Sequence, residues 1–69
     1  MRLTWDDCED IAIALADKHP TVEVLSINFV ELHRWVTELE EFDDDPKGSN
    51  EGKLEAIQMA WLAEVRDRS

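Results

Sequence analysis

The chain has 69 residues, 43% of them apolar, and so short a chain buries only about 60% of its unfolded surface, which excludes a second domain. Seventeen Asp and Glu residues against seven Lys and Arg residues give a formal net charge of −10 at pH 7. This charge repels nucleic-acid phosphates and anionic lipid headgroups, so the expected partner is a basic protein surface or a cation.

The first periodic segment predicts a helix from about Trp5 to Lys18, which ends at His19-Pro20. Thr4 is the expected cap, and Asp7 follows it three residues later as a short capping box. Apolar residues recur with helical spacing on the inner face of this helix: Cys8, Ile11, Ala12 and Leu15.

Residues 21–29 are rich in β-branched side chains but supply only one strand length, so we expect a short extended segment, paired briefly with residues 3–5. Helical spacing then returns from Val30 to Glu41. Residues 43–49 combine Pro, Gly and three aspartates and predict a loop. A third helix from Asn50 to Arg66 follows, capped by Ser49 or Asn50.

These elements predict a mainly α fold, a small three-helix, winged-helix-like domain with a short extended segment between helices one and two. The predicted core consists of Ile11, Leu15, Ile27, Phe29, Leu32, Trp35, Leu39, Leu54, Ile57 and Trp61. DNA reading, the usual role of such a fold, is disfavoured because the third helix carries Glu51, Glu55 and Glu64 against Lys53 and Arg66. A repressor-like or antitoxin-like protein is therefore the weakest alternative.

The densest group of charges is the 38–45 cluster, six acids without a base: Glu38, Glu40, Glu41, Asp43, Asp44 and Asp45. It follows the predicted second helix, where the macrodipole disfavours carboxylates, so helix stability alone does not explain it. Two interpretations remain open, a binding surface and a solvated acidic turn. Reversal of the three aspartates to lysine is expected to weaken binding of a basic partner without unfolding the domain.

A second group of acids opens the first helix: Asp6, Asp7, Glu9 and Asp10. The first turn of a helix stabilises carboxylates, so local structure explains these residues well. They extend the binding surface of the 38–45 cluster if the first helix lies alongside it.

The 38–45 cluster also suggests a cation site. Asp43, Asp45 and Gly48 fit an EF-hand loop, but Lys47 and Leu54 occupy two of its ligand positions, so a calcium cage is not expected. The cluster contains no His or Cys, which disfavours zinc. Weak binding of iron by the six carboxylates remains the prediction.

Enzymatic activity is not expected. Cys8 is the only cysteine, with His19 and His33 as its only candidate bases, and its place on the apolar helix face indicates a buried core thiol. We expect His33 to be a hydrogen-bonded or surface residue and His19 to meet free carbonyls at the helix end. The three tryptophans, Trp5, Trp35 and Trp61, are predicted core anchors.

The lone cysteine, the absence of an apolar N-terminal segment and the lack of 18 consecutive apolar residues predict a cytoplasmic protein without a membrane span.

Several motifs together resemble the IscX family of bacterial iron–sulfur cluster assembly proteins. The motifs are Trp5 before an acidic helix start, His33-x-Trp35, Leu39-Glu40-x-Phe42-Asp43-Asp44-Asp45-Pro46, Ser49-Asn50-Glu51, Leu54-Glu55-Ala56-Ile57 and Trp61-Leu62. They cover about residues 3–64. The chain departs from the family pattern at Val30, where a Thr would cap helix two, and Cys8 belongs to none of the motifs.

The resemblance implies a winged-helix-like, non-enzymatic adaptor or regulator that binds the cysteine desulfurase of the ISC system through an acidic face. It also implies that the binding sites of the protein and of the bacterial frataxin on the desulfurase overlap, and that carboxylates bind iron weakly. We expect a monomer. The alternative function is a stand-alone carrier that donates ferrous iron to the assembly machinery.

Overall fold

The computed structural model describes residues 2–68, which form three α-helices: α1 (Cys8–Lys18), α2 (Phe29–Thr37) and α3 (Glu51–Arg68). Two short 3-10 turns, Val24–Ser26 and Pro46–Gly48, precede α2 and α3 respectively. The mainly α prediction is confirmed. The described residues contain one isolated β-bridge and no strand, so they do not form the β-hairpin of a winged helix. None of their helices has the length and apolar character needed to cross a membrane.

Helix α1 begins at Cys8, three residues later than predicted, because a hydrogen-bonded turn occupies residues 4–7. The expected cap by Thr4 is wrong: Asp7 is the N-cap residue, and its carboxylate accepts from the backbone N–H of Thr4 at 2.8 Å. A capping box consists of two hydrogen bonds, and this contact is the one in which the acidic side chain accepts from a backbone N–H three residues earlier. The helix ends as predicted at Lys18, where the N–H of His19 donates to the carbonyl of Leu15.

Between α1 and α2, the expected extended segment holds the 3-10 turn Val24–Ser26, flanked by extended residues. The predicted pairing of this segment with residues 3–5 is wrong. Leu3 instead bridges to Phe42 in a parallel arrangement, in which the N–H of Leu3 donates to the carbonyl of Glu41 and the N–H of Asp43 donates to the carbonyl of Leu3.

Helix α2 is shorter than its apolar pattern predicts, since it begins at Phe29 and ends at Thr37 instead of Glu41. Asn28 caps it by accepting from the backbone N–H of Glu31 at 2.9 Å. This cap makes a threonine at position 30 unnecessary. After the helix, a turn returns Leu39 to the core, where it is 4% exposed.

Helix α3 is capped by Asn50, one of the two predicted residues, whose side chain accepts from the N–H of Lys53 at 2.9 Å. Its apolar stripe packs on α1 and on the 3-10 turn before α2. Gln58 is half-buried in this contact and donates to the carbonyls of Val24 and Ile27. The side-chain amide therefore ties α3 to the segment before α2.

The core lies between α1, α2 and α3. Its buried members are Leu3, Trp5, Ile11, Ala12, Leu15, Ala16, Val24, Ile27, Leu32, Val36, Leu39, Leu54, Ile57 and Trp61. Two residues predicted for the core, Phe29 and Trp35, are only half-buried and pack at its edge. Cys8 is also half-buried, rather than the fully buried thiol expected.

Candidate functional site

An open groove of about 570 Å³ lies between α1 and the turn after α2. Helix α1 supplies one wall, and Glu40 and Glu41 supply the other. The lining residues are Leu3, Asp10, Ile13, Ala14, Asp17, Lys18, Leu39, Glu40 and Glu41. We call this the α1–turn groove; its floor is apolar and four carboxylates and one ammonium group line it.

A second groove, of about 280 Å³, runs between α1 and α3. It is lined by Glu9, Ile13, Ala60, Ala63, Glu64 and Asp67, and we call it the α1–α3 groove. Ile13 borders both grooves and is 41% exposed. The two grooves therefore form one face in which an isoleucine separates two groups of carboxylates.

Arg68 partly neutralises this face. Its guanidinium group lies 2.7 Å from a carboxylate oxygen of Asp17 and 3.0 Å from one of Glu64, and both contacts raise the Arg68 pKa. Four other carboxylates of this face differ from Asp17 and Glu64 in having no such ion pair in the part of the chain that the structure describes. Within residues 2–68, no Lys, Arg or His nitrogen lies within 4.0 Å of the carboxylates of Glu9, Asp10, Glu40 and Glu41. These four are open to an external cationic group.

The aspartates of the 38–45 cluster hold the loop after α2 in place. Asp44 accepts from the backbone N–H of Trp5 at 3.1 Å and from that of Asp45 at 2.7 Å. These two hydrogen bonds lower the pKa of the Asp44 carboxyl group. The Asp45 carboxylate accepts from the N–H of Lys47 at 2.9 Å, and Asp43 lies 3.2 Å from the guanidinium group of Arg2. Reversing all three would remove these contacts and so loosen the loop, while the expectation that the triple reversal weakens binding without unfolding the domain stays a prediction.

The helix-dipole explanation for the 38–45 cluster also needs correction. Helix α2 ends at Thr37, so only Glu38, at the C-cap, lies close to its negative end, and Glu38 is paired with Arg34 at 3.7 Å. The dipole effect falls off within the last turn, so it does not act appreciably on the acids from Glu40 onward.

The N-terminal acids fall into two groups, those with structural contacts and those that line a groove. Asp6 pairs with Lys53 at 2.8 Å, linking the turn before α1 to α3, and Asp7 is the N-cap of α1. Glu9 lines the α1–α3 groove, and Asp10 lines the α1–turn groove. The structure thus brings Asp10 together with Glu40 and Glu41, although about thirty residues separate them in the sequence.

No metal centre is assembled in the described part of the chain. Among residues 2–68, no three His, Cys, Asp or Glu side chains are grouped so that they could hold an ion. Iron binding by the 38–45 cluster stays a prediction, and an ion there would be held by one or two carboxylates, with water completing its shell.

The thiol and the two imidazoles have structural contacts. The Cys8 Sγ donates to the carbonyl of Trp5 at 3.7 Å. His33 stacks on Trp5 with ring centroids 5.4 Å apart, and its Nε2 contacts the carbonyl of Pro46, as expected for a hydrogen-bonded residue. His19 stacks on Trp35 at 4.3 Å, and burial lowers its pKa.

The predicted site residues did not include one exposed isoleucine and three acids that line the grooves: Ile13, Asp17, Glu64 and Asp67. A signal was present for the first two. Asp10, Ile13 and Asp17 share one helical stripe, opposite the apolar stripe of the same helix, and an isoleucine is out of place there. Glu64 and Asp67 gave no such signal because the pairing of α3 with α1 places them.

The fold and the two grooves define a small, acidic three-helix domain. Residues 3–66 match the protein family described as iron-sulphur cluster assembly. A relative from Pseudomonas aeruginosa, named only as an uncharacterized protein, is 53% identical over 64 residues, which cover 93% of this chain and 97% of the relative. The chain belongs to this iron–sulphur cluster assembly family, and the resemblance to IscX proteins is confirmed.

Proposed function

We propose that this protein is a non-enzymatic, cytoplasmic adaptor that regulates iron–sulfur cluster assembly by docking on a cysteine desulfurase. Membership of the family indicates that the process is iron–sulfur cluster assembly. The observation that supports docking is the convergence of seven of the 17 acidic residues on the α1–turn and α1–α3 grooves, four on the first and three on the second. A basic protein surface is the partner that such a face attracts.

The proposed docking centre is the α1–turn groove rather than the loop of aspartates 43–45. Glu40, Glu41 and Asp10 lie in this groove without an ion pair in residues 2–68, whereas the loop aspartates are engaged by backbone N–H groups and by Arg2. Carboxylates that already accept internal hydrogen bonds have less capacity for a partner. On this proposal, a frataxin that uses the same basic surface would compete with the protein.

The test is isothermal titration of the purified protein with a purified cysteine desulfurase at low and high salt. Affinity should fall steeply with salt, because the Debye length shrinks from about 8 Å at physiological ionic strength to about 3 Å at 1 M. The double variant Asp10→Lys/Glu40→Lys should bind at least tenfold more weakly, about 1.4 kcal/mol. Absence of binding by the parent protein would refute the proposed function.

The matched control is Glu31→Lys/Glu55→Lys. Each pair of reversals adds four charges, from −10 to −6, and each pair contains one residue from the first turn of a helix, Asp10 in α1 and Glu31 in α2. All four side chains are exposed, and the two control residues line neither groove. Equal weakening by both pairs would show that net charge alone attracts the desulfurase and would contradict the groove as the docking centre.

The second candidate function is delivery of ferrous iron. Its support is chemical, since the 38–45 cluster and the grooves offer carboxylate oxygens, the donors that hard cations prefer. Because no three such groups are grouped for a metal in residues 2–68, this proposal is limited to weak, partly hydrated iron.

A further inference from the structure

Ile13 interrupts an otherwise acidic helix face. Its neighbours on the outward side of α1 are Glu9, Asp10 and Asp17, one turn before it and one turn after it. A single exposed apolar residue is ordinary on a protein surface. Ile13 differs because the groove on each side of it has apolar residues in its lining.

On one side of Ile13, the floor of the α1–turn groove contains Leu3, Ala14 and Leu39. On the other side, the α1–α3 groove contains Ala60 and Ala63. The apolar strip thus runs across α1, and carboxylates stand on both sides of it. Such a strip does not suit a free cation, which gains nothing from apolar contact, or a purely basic surface, which would leave Ile13 in water.

We propose that Ile13 and the two grooves beside it bind one amphipathic, basic segment of the desulfurase, which places a large apolar side chain against Ile13 between two Lys or Arg residues. This inference rests on the proposed function, because it names the kind of segment that the acidic face selects. The carboxylates of Asp10, Glu40 and Glu41 meet one basic residue, and Glu9 with Asp67 meets the other. The carboxylates favour a cationic partner through charge complementarity. The apolar strip provides the surface that the apolar side chain of this partner contacts.

Two kinds of contact give two different salt dependences. Salt screens the attraction between carboxylates and basic side chains, whereas burial of Ile13 against an apolar side chain does not depend on screening. Loss of the isoleucine should therefore lower the affinity by the same factor at every salt concentration. Loss of a groove carboxylate should lower it mainly at low salt.

The test compares Ile13→Ala with Met59→Ala by isothermal titration against a purified cysteine desulfurase at low and high salt. Both residues are exposed apolar side chains within helices, 41% and 54% exposed, and Met59 lines neither groove. Alanine favours helix at both sites, so both variants should fold. Ile13→Ala should bind about tenfold more weakly at both salt concentrations, and Met59→Ala should bind like the parent.

Parent-like binding of Ile13→Ala would overturn this inference, and equal weakening by Met59→Ala would do the same. In either case the proposed function survives, because the parent still binds the desulfurase. Absence of binding by the parent protein would instead refute the proposed function.

Discussion

Trp5 carries more of the stability than its position near the start of the chain suggests. Its side chain is 1% exposed, its indole N–H donates to the carbonyl of Asp45 at 2.7 Å, and its ring lies edge-on to Phe42 at 4.8 Å. Replacing a buried tryptophan by alanine costs about 3–5 kcal/mol. A chain of this length has a total stability of about 3–10 kcal/mol, so Trp5→Ala should lose a large part of its stability.

Trp35→Ala is the comparison that separates burial from residue type. Trp35 is only half-buried, so its loss should cost about 2–3 kcal/mol, less than the loss of Trp5. Trp5→Phe, which keeps an aromatic ring but removes the indole N–H, should cost about 2 kcal/mol, roughly half of it from the hydrogen bond to Asp45.

The assay is urea unfolding followed by circular dichroism. With a slope of about 1 kcal/mol per molar urea, a difference of 2 kcal/mol moves the midpoint by about 2 M, which is easily resolved. If Trp35→Ala proved as destabilising as Trp5→Ala, the assignment of Trp5 as the principal anchor of the loop after α2 would be wrong.

Two further predictions concern the loop and iron. Two backbone N–H donors lower the pKa of Asp44 below its usual 3.8, so its stabilising effect is complete above that pH and is lost as the pH falls through the lowered value. The variant Asp44→Asn should accordingly show a flatter dependence of Tm on pH below about pH 4, and an acid limb as steep as that of the parent would contradict this role. In a titration with ferrous iron, NMR line broadening should centre on residues 38–45 and the α1–turn groove, and broadening centred on Cys8 would refute carboxylate binding.

The three helices could be predicted from the sequence because the spacing of their apolar residues is a local pattern. The sequence was insufficient for their ends. The pattern of α2 continues through Leu39, which is indeed buried, but a turn after Thr37 rather than another helical turn brings it to the core. A buried residue at position 39 fits the helical spacing whether the helix continues or the chain turns after Thr37. Periodicity alone therefore does not distinguish the two structures. Asn28 gives no clear cap signal in the sequence because it follows a β-branched run that resembles a strand.

The N-terminal contacts had no local signal. Leu3 and Trp5 are too few to show a period, and their partners, Phe42, Asp44 and Asp45, lie about forty residues away in the chain. The β-bridge and the indole hydrogen bond therefore become visible only in the folded molecule. They explain why the extended segment before α2 is not the partner of residues 3–5: that backbone edge is already used by residues 41–43.

The same long-range contacts change the meaning of the charge pattern. In the sequence, Asp43, Asp44 and Asp45 form the centre of the acidic cluster, and a binding role follows from their number. In the fold, Asp44 and Asp45 accept hydrogen bonds and Asp43 forms an ion pair, and these contacts join the loop to residues 2–5 or to the following turn. Loop structure therefore accounts for the contacts of these three aspartates, and a binding role for them stays a prediction.

The groove acids that lack an ion pair within residues 2–68 come from separate parts of the chain. Glu40 and Glu41, from the first half of the 38–45 cluster, line the α1–turn groove opposite Asp10. Net charge acts over about one Debye length and brings any basic surface closer, but it does not fix the orientation of the partner. Orientation requires charges in a fixed arrangement around a contact that excludes water, and on this surface Ile13 is the residue around which the carboxylates are arranged.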